Sequence, residues 1–335
     1  MANVVKNGLL MLASLLVFLL IVELTIDKIV PLRNVGPSFS AFHPVYGKHL
    51  KPGFSATRKT PEFTMRITTN QFGFRGPEID ALPERPVLFL GDSFTMGYGV
   101  NDGEEYPAII AEALAADPAF ARVEVLNAAI GDSGQGRWIK LLDHLGPDLQ
   151  PRLVVMQFLS NDFSDNRRNP MFRLSPDGVL TEFAPTPETG RSAQRIIEAV
   201  PGLDRTNLVG LLRQIRDGLG RMSAGPAEPA SEPVVAAEQD QGDPELTLTL
   251  ALTERAVTTA RSNGWPVLAI LVGIAEPRRG ALASLMREHD ATILVLPDRD
   301  EAADHYYDVD GHWNAAGQRA AAAALTPFIK SMLAQ

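Results

Sequence analysis

The sequence of 335 residues predicts an α/β fold built on a doubly wound, mostly parallel sheet. Two observations carry that expectation. From Pro86 onward, short apolar runs alternate with helical patterns, and the runs are continuous, as strands buried on both faces require. Turn-forming or polar residues then follow those runs, where parallel strands open into loops. A chain of this length can bury an ample core, in one large domain or two smaller ones.

The elements follow in order. Gly8 to Val22 holds only apolar and small residues plus Ser14, and the apolar character resumes after Glu23 through Val30. As a helix, Gly8 to Ile26 spans about 28 Å, close to the hydrocarbon thickness of a bilayer. No small-x-small cleavage site follows, because Glu23-Leu24-Thr25-Ile26-Asp27-Lys28 is unsuited to one. Residues 1–30 are therefore expected to form an uncleaved, single-pass signal anchor. Lys6 and the terminal amine precede the span without any acid, which places the N-terminus in the cytoplasm. The body of the chain is then expected outside the inner (cell) membrane, periplasmic or extracellular. Residues 31–85 read as a stalk and a small β-rich lead-in, with alternating pieces such as Phe63 to Thr69 broken by Pro and Gly.

Residues 86–333 form the main domain. Strands are expected near 86–90, 122–127, 153–158, 266–272 and 292–296. Helical patterns fall near 105–116, 136–146, 248–262 and 278–289, with an Ala-rich helix from 314 to about 333. The connection between the third and fourth strands is too long for one crossover. It holds an amphipathic pattern near 204–219, then a flexible insertion at about 223–245, rich in Pro, Ala, Glu and Gln. A lid or a partner-docking segment is the other reading of that stretch.

Composition narrows the function. The net charge of −9, without clustered Lys or Arg, argues against a nucleic-acid partner. The absence of cysteine removes disulfides, thiolate metal sites and a Cys nucleophile. His289-Asp290 and Asp304-His305 lack metal-ligand spacing, so no metal is expected.

Four loops carry chemistry. Gly91-Asp92-Ser93-Phe94-Thr95-Met96-Gly97 follows the first expected strand, so Ser93 stands where a nucleophile belongs. A serine hydroxyl needs a base, and the base needs an acceptor to fix its tautomer. Asp310-Gly311-His312-Trp313-Asn314 offers both. A developing oxyanion needs convergent donors, and Gly131 and Asn161 lie on the loops after the second and third strands. Ser133, in a second Gly-Asp-Ser, is the rival nucleophile, but it leaves no glycine for the second loop. Asn314 reads as the cap of the last helix, Asp92 and Asp162 as loop-organising acceptors, and His305 as structural.

Taken together these residues resemble the SGNH or GDSL hydrolase superfamily, whose four motif blocks supply Ser, Gly, Asn and His in this order. Gly91-Asp92-Ser93, Gly131, Asn161-Asp162 and His312 match the blocks, and the resemblance covers roughly residues 86 to 333 without the insertion. It implies a three-layer α/β/α, flavodoxin-like domain with Ser93 as nucleophile and His312 as base. It also implies an oxyanion hole made by the N–H groups of Ser93 and Gly131 and the amide of Asn161. Two positions depart from the pattern. Leu159 stands where the third block has a glycine, and Val309 stands where the acid usually lies, three residues before the histidine. Asp310 is taken as the acid, because Asp-x-His-Trp resembles the arrangement in alginate-type O-acetyltransferases; Asp308 is the alternative. Thr69 to Glu78 resembles a segment of membrane-anchored bacterial members, in which Arg75 either meets an anionic substrate group or pairs with Glu78 or Asp80.

The implied activity is a serine esterase acting on ester-linked acyl groups, with carbohydrate as the expected carrier and no metal or organic cofactor. An O-acyltransferase passing the acyl group to a glycan hydroxyl is the first alternative. A non-catalytic envelope glycan-binding protein is the second.

Overall fold

The computed structural model describes residues 2–30, 32, 35–168, 170–186, 197, 199–200, 202–223 and 243–335. Helix α1 (Ala2–Ile29) is followed by β1 (Ser40–His43), β2 (Gly47–Leu50), β3 (Ser55–Lys59) and β4 (Thr64–Thr68). The main alternation opens with β5 (Val87–Leu90), α2 (Ser93–Met96), α3 (Tyr106–Ala115), β6 (Val125–Asn127) and α4 (Gln135–Leu149). It continues with β7 (Leu153–Leu159), α5 (Asp162–Arg168), β8 (Phe172–Leu174) and β9 (Leu180–Glu182). Then come α6 (Asn207–Ser223), α7 (Pro244–Ser262), β10 (Val267–Val272), α8 (Arg278–Glu288), β11 (Thr292–Leu296) and α9 (Ala315–Leu333).

The chain divides into two compact units. One comprises residues Met1–Ser38, Ala56–Thr64 and Thr189–Glu238; the other comprises Phe39–Ser55, Met65–Glu188 and Gln239–Gln335. The second unit holds a five-stranded sheet in the order β11-β10-β7-β5-β6, parallel at every pairing. Counted from β5, that order is 2-1-3-4-5, the doubly wound arrangement in which winding reverses between the first and third strands. The reversal opens a crevice beyond the carboxyl ends of β5 and β7. It is the place where ligands bind in such sheets.

Side chains alternate across the sheet with period two. Leu88, Leu90, Val154, Met156 and Phe158 face a core layer built with Trp138 of α4, Leu252 and Ala256 of α7, and Met286 of α8. Val87, Phe89, Leu153 and Val155 face the opposite layer, with Tyr106 and Ile110 of α3 and Leu325 and Ile329 of α9. All seven residues of β7 are buried, which makes it the sheet's central strand. The three layers expected from the sequence are present.

The lead-in hairpin pairs β1 with β2 in antiparallel register, Ser40 opposite Leu50. Most of the flexible insertion expected at 223–245 lies outside the described residues, which resume at Asp243. There the Asp243 carboxylate accepts from the N–H groups of Glu245 and Leu246 and Pro244 opens α7, four residues earlier than the apolar pattern implies.

Candidate active site

The loop that carries Ser93 is shaped by what has no room for a side chain. A Cβ on Gly91 would lie 2.3 Å from Thr95 Oγ1, so glycine is what lets the Thr95 side chain pack against the backbone there. Asp92 then caps the short helix α2 by accepting from the N–H of Phe94 at 3.0 Å. Ser93 is thereby the first residue of α2, at the carboxyl end of β5.

His312 reaches Ser93 from the other end of the chain. The Ser93 hydroxyl lies 2.7 Å from His312 Nε2, and His312 Nδ1 lies 2.5 Å from Asp310 Oδ1. With Nδ1–H donating to the carboxylate, Nε2 is left to accept the serine proton, the tautomer general-base chemistry needs. Gly311, at φ +82°, makes the turn that lets a carboxylate two residues away face the ring. The ring itself lies between Phe94 (centroids 5.2 Å apart) and Tyr98 (4.8 Å). Its backbone carbonyl accepts from Tyr307 N–H at 2.9 Å, and Asn314 caps α9 through the N–H groups of Ala316 and Gly317. Asp308 is exposed, and its carbonyl accepts from Arg299. Asp310 is the acid that meets His312.

Gly131 abuts Ser93: a Cβ there would lie 3.1 Å from Ser93 Cβ. Its carbonyl accepts from Lys48 Nζ at 2.8 Å, and the same ammonium pairs with Asp132 at 2.7 Å. That pairing holds the Asp132 carboxyl below the usual carboxylate range, with Lys48 the largest cause. Arg137, buried, donates to the carbonyls of Lys48 (3.0 Å) and Ala128 (2.8 Å), fastening β2 to the loop after β6. Ser133 is buried and donates to the Ile130 carbonyl at 2.6 Å, so it braces this loop and does not reach His312 in that geometry.

Asn161 stands at the end of β7, beside Asp92. Both of its amide N–H groups end on carboxylates, Asp92 Oδ2 at 3.0 Å and Asp165 Oδ2 at 2.8 Å. Burial pushes Asp92 up to about 6, against the opposing pull of the Phe94 N–H and the Asn161 amide. Burial also raises Asp165, with the Asn161 amide opposing. Asp162 is buried and raised well above the usual range by the same cause; it accepts from Leu159 N–H (3.1 Å) and Gln135 Nε2 (2.8 Å). The bond from Leu159 explains the missing glycine. The side chain of Leu159 joins the core while its N–H is tied back to Asp162.

Arg75 is paired within the protein. Its guanidinium is fully buried and donates to the carbonyls of Met96 (2.9 Å), Gly97 (2.5 Å) and Val100 (2.8 Å). Its acid partners are Glu105 (3.6 Å) and Asp102 (3.5 Å) in place of Glu78 or Asp80. Glu78 accepts instead from Gln71 N–H. Arg75 therefore fixes the loop that follows Ser93. Among the described residues, no cluster of His, Cys, Asp or Glu could hold a metal ion. Sequence reasoning missed Lys48, Arg137 and Asp165, which act through partners that no local pattern announces.

The model of the GDSL-like lipase/acylhydrolase family matches residues 89–320. No curated protein matches the sequence. Solved structures that resemble the chain include the psychrotrophic esterase EstA from Pseudoalteromonas sp., at 13% identity and a TM-score of 0.44, covering 75% of this chain and 100% of the other. TesA matches at 15% identity and a TM-score of 0.42, covering 74% of this chain and 99% of the other. A catalytic mutant of Axe2, an acetylxylan esterase from Geobacillus stearothermophilus, matches at 11% and 0.41, covering 76% and 96%.

Proposed function

The chain belongs to the GDSL-like lipase/acylhydrolase family and is an SGNH-type ester hydrolase, and we propose that Ser93, His312 and Asp310 carry its reaction through an acyl-enzyme. The observation that supports this reading most is the continuous chain from Ser93 Oγ through His312 to Asp310, with links of 2.7 and 2.5 Å. His312 Nε2 takes the hydroxyl proton as Ser93 Oγ attacks the ester carbonyl carbon. The carbonyl electrons move onto oxygen, and the N–H groups of Ser93 and Gly131 meet that charge. Asn161 joins them by turning one N–H away from Asp92 or Asp165. When the tetrahedral intermediate collapses, the bond to the alcohol oxygen breaks and His312 returns the proton to the leaving alcohol. Water, deprotonated by His312, then releases the acid and restores Ser93. Losing one such oxyanion donor costs roughly 10²–10³ in turnover in comparable sites.

In the same reading α1 is an uncleaved anchor. Asn3–Ile26 has a mean hydropathy of 2.7 and none of its span is buried within the structure. Lys6 then keeps the N-terminus cytoplasmic and the catalytic unit on the far side of the inner membrane. Acyl groups carried on carbohydrate are the substrates that such a location offers. A second reading rests on Asp310-Gly311-His312-Trp313: the acyl group passes to a glycan hydroxyl and not to water. Turnover that rises with added glycan acceptor, and yields acylated glycan, would select it.

The test is active-site labelling of the full-length protein with a fluorophosphonate, followed by peptide mapping. Modification at Ser93 is expected, lost in Ser93→Ala and His312→Ala, slowed in Asp310→Asn, and retained in Asp308→Asn and Ser133→Ala. No label on a well-folded protein, or label on Ser133, would overturn the assignment.

A further inference from the structure

Helix α6 lies in the unit that contains α1, and no step of the proposed chemistry uses it. Its first turn is held by an acid from the apolar helix. Glu23 Oε1 accepts from Asn207 N–H at 2.7 Å, Glu23 Oε2 accepts from Leu208 N–H at 3.0 Å, and Asn207 Nδ2 donates to the Glu23 carbonyl at 3.0 Å. Farther along, Arg213 donates to the carbonyls of Gly36 and Asp204. Thus α6 is tied twice to the chain where α1 ends.

Glu23 is the only acid within Asn3–Ile26. A carboxylate is costly in hydrocarbon unless it is paired, and the first N–H groups of a helix lack intrahelical partners. Each therefore satisfies the other. Glu23 lies three residues from the end of the span, about 4.5 Å along the axis, so the start of α6 falls at the level where a bilayer gives way to headgroups. From that point α6 leaves apolar side chains exposed among its described residues. Leu212 and Ile215 are 54% and 48% exposed. In sequence the apolar residues recur at Leu208, Leu212, Ile215, Leu219 and Met222, the spacing of one helical stripe. Between them the sequence sets Arg213, Arg216 and Arg221 against Asp217. A basic amphipathic helix of this kind suits the boundary of anionic headgroups and acyl chains.

We propose that α6 is an interfacial helix, lying on the lipid headgroup surface beside the point where α1 leaves the membrane, with its N-terminus seated on Glu23. The proposal rests on α1 being the membrane anchor, and its test separates the two.

The chain has no cysteine, so single labels are clean. Nitroxides would be attached to full-length Leu16→Cys, Leu212→Cys, Gln214→Cys and Ile215→Cys in vesicles of mixed zwitterionic and anionic phospholipid. Collision with oxygen, which partitions into lipid, would be compared with collision with a water-soluble nickel chelate. The expected oxygen-to-nickel ratio is several-fold higher at 16, 212 and 215 than at 214, with the contrast at 212 and 215 shrinking without anionic lipid. Lipid contact at 16 with aqueous 212 and 215 would overturn the interfacial helix and leave the anchor standing. Shielding of 212 and 215 from both reagents would overturn it in favour of a protein partner or a second copy. An aqueous position 16 would overturn the anchor, and the interfacial helix with it.

Discussion

Asp92 carries an electrostatic cost beside Ser93. It is 1% exposed, and burial pushes its carboxyl up to about 6 even though the Phe94 N–H and the Asn161 amide both donate to it. The ordinary value is 3.8. Between these values the folded chain holds a proton that the unfolded chain has released, so stability falls as pH rises from about 4 to about 6. The full effect amounts to about 3 kcal/mol at most. Asp92→Asn removes the charge and keeps an oxygen for the Phe94 N–H, while the oxygen that accepts from Asn161 gives way to an amide nitrogen, a loss that does not vary with pH. Its urea midpoint is therefore expected to gain on that of the parent across this window and to hold the gain above it. A midpoint difference that stays flat from pH 4 to pH 7 would show that Asp92 carries no such cost. The charge still has a use at neutral pH, because it orients the Asn161 amide beside Ser93 and stands 3.4 Å from the serine hydroxyl.

Each functional loop leaves a strand, and the strands set the spacing of the site. Adjacent β5 and β7 deliver Ser93 and Asn161 to the reversal point of the sheet, and β6, on the other side of β5, delivers Gly131. The hairpin strand β2 adds what the sheet lacks. Lys48 donates to the Gly131 carbonyl and so holds the 131–132 peptide, next to the Gly131 Cα that lies against Ser93. Lys48→Met keeps the apolar stem and loses the donor. It is expected to lower kcat roughly 10-fold or more, a share of the 10²–10³ that an oxyanion donor is worth, with KM little changed. An unchanged kcat would mean that Arg137 and Ser133 fix this loop without help. Much of this was legible in the sequence, for a physical reason. Continuous Val, Leu and Phe runs are what a sheet buried on both faces demands, and the loops after them inherit their places from the strands. Lys48, Arg75 and Asp165 were not legible as they act, because their partners are backbone carbonyls or an amide set by tertiary folding. Even β6 shows that limit. The run 122–127 reads as one strand, yet Val123 is spent closing a turn onto Phe120 and only Val125–Asn127 joins the sheet.

The division of the whole molecule into two units assigns its tasks to separate parts of the chain. Ser93, Gly131, Asn161, Asp310 and His312 all belong to the unit with the five-stranded sheet, whose two core layers are complete without α1 or α6. The other unit holds the apolar helix α1 and the helix α6 seated on Glu23. Removing residues 1–30 is therefore expected to leave kcat/KM on a small water-soluble ester within about twofold, since the core layers of the sheet unit and the hydrogen bonds among Ser93, His312 and Asp310 draw on none of those residues. The same truncation takes away the Glu23 carboxylate and exposes the first N–H groups of α6, at a cost of about 1 kcal/mol to that helix. Faster tryptic cleavage at Arg213 and Arg216 should follow, with the sheet unit as resistant as before. Ester turnover on a soluble substrate and a timed tryptic digest, measured on the same preparation, check both halves. Loss of turnover in a truncated protein that keeps its protease-resistant sheet unit would mean that residues 1–30 contribute to the chemistry. Unchanged cleavage of α6 would mean that Glu23 does not hold it.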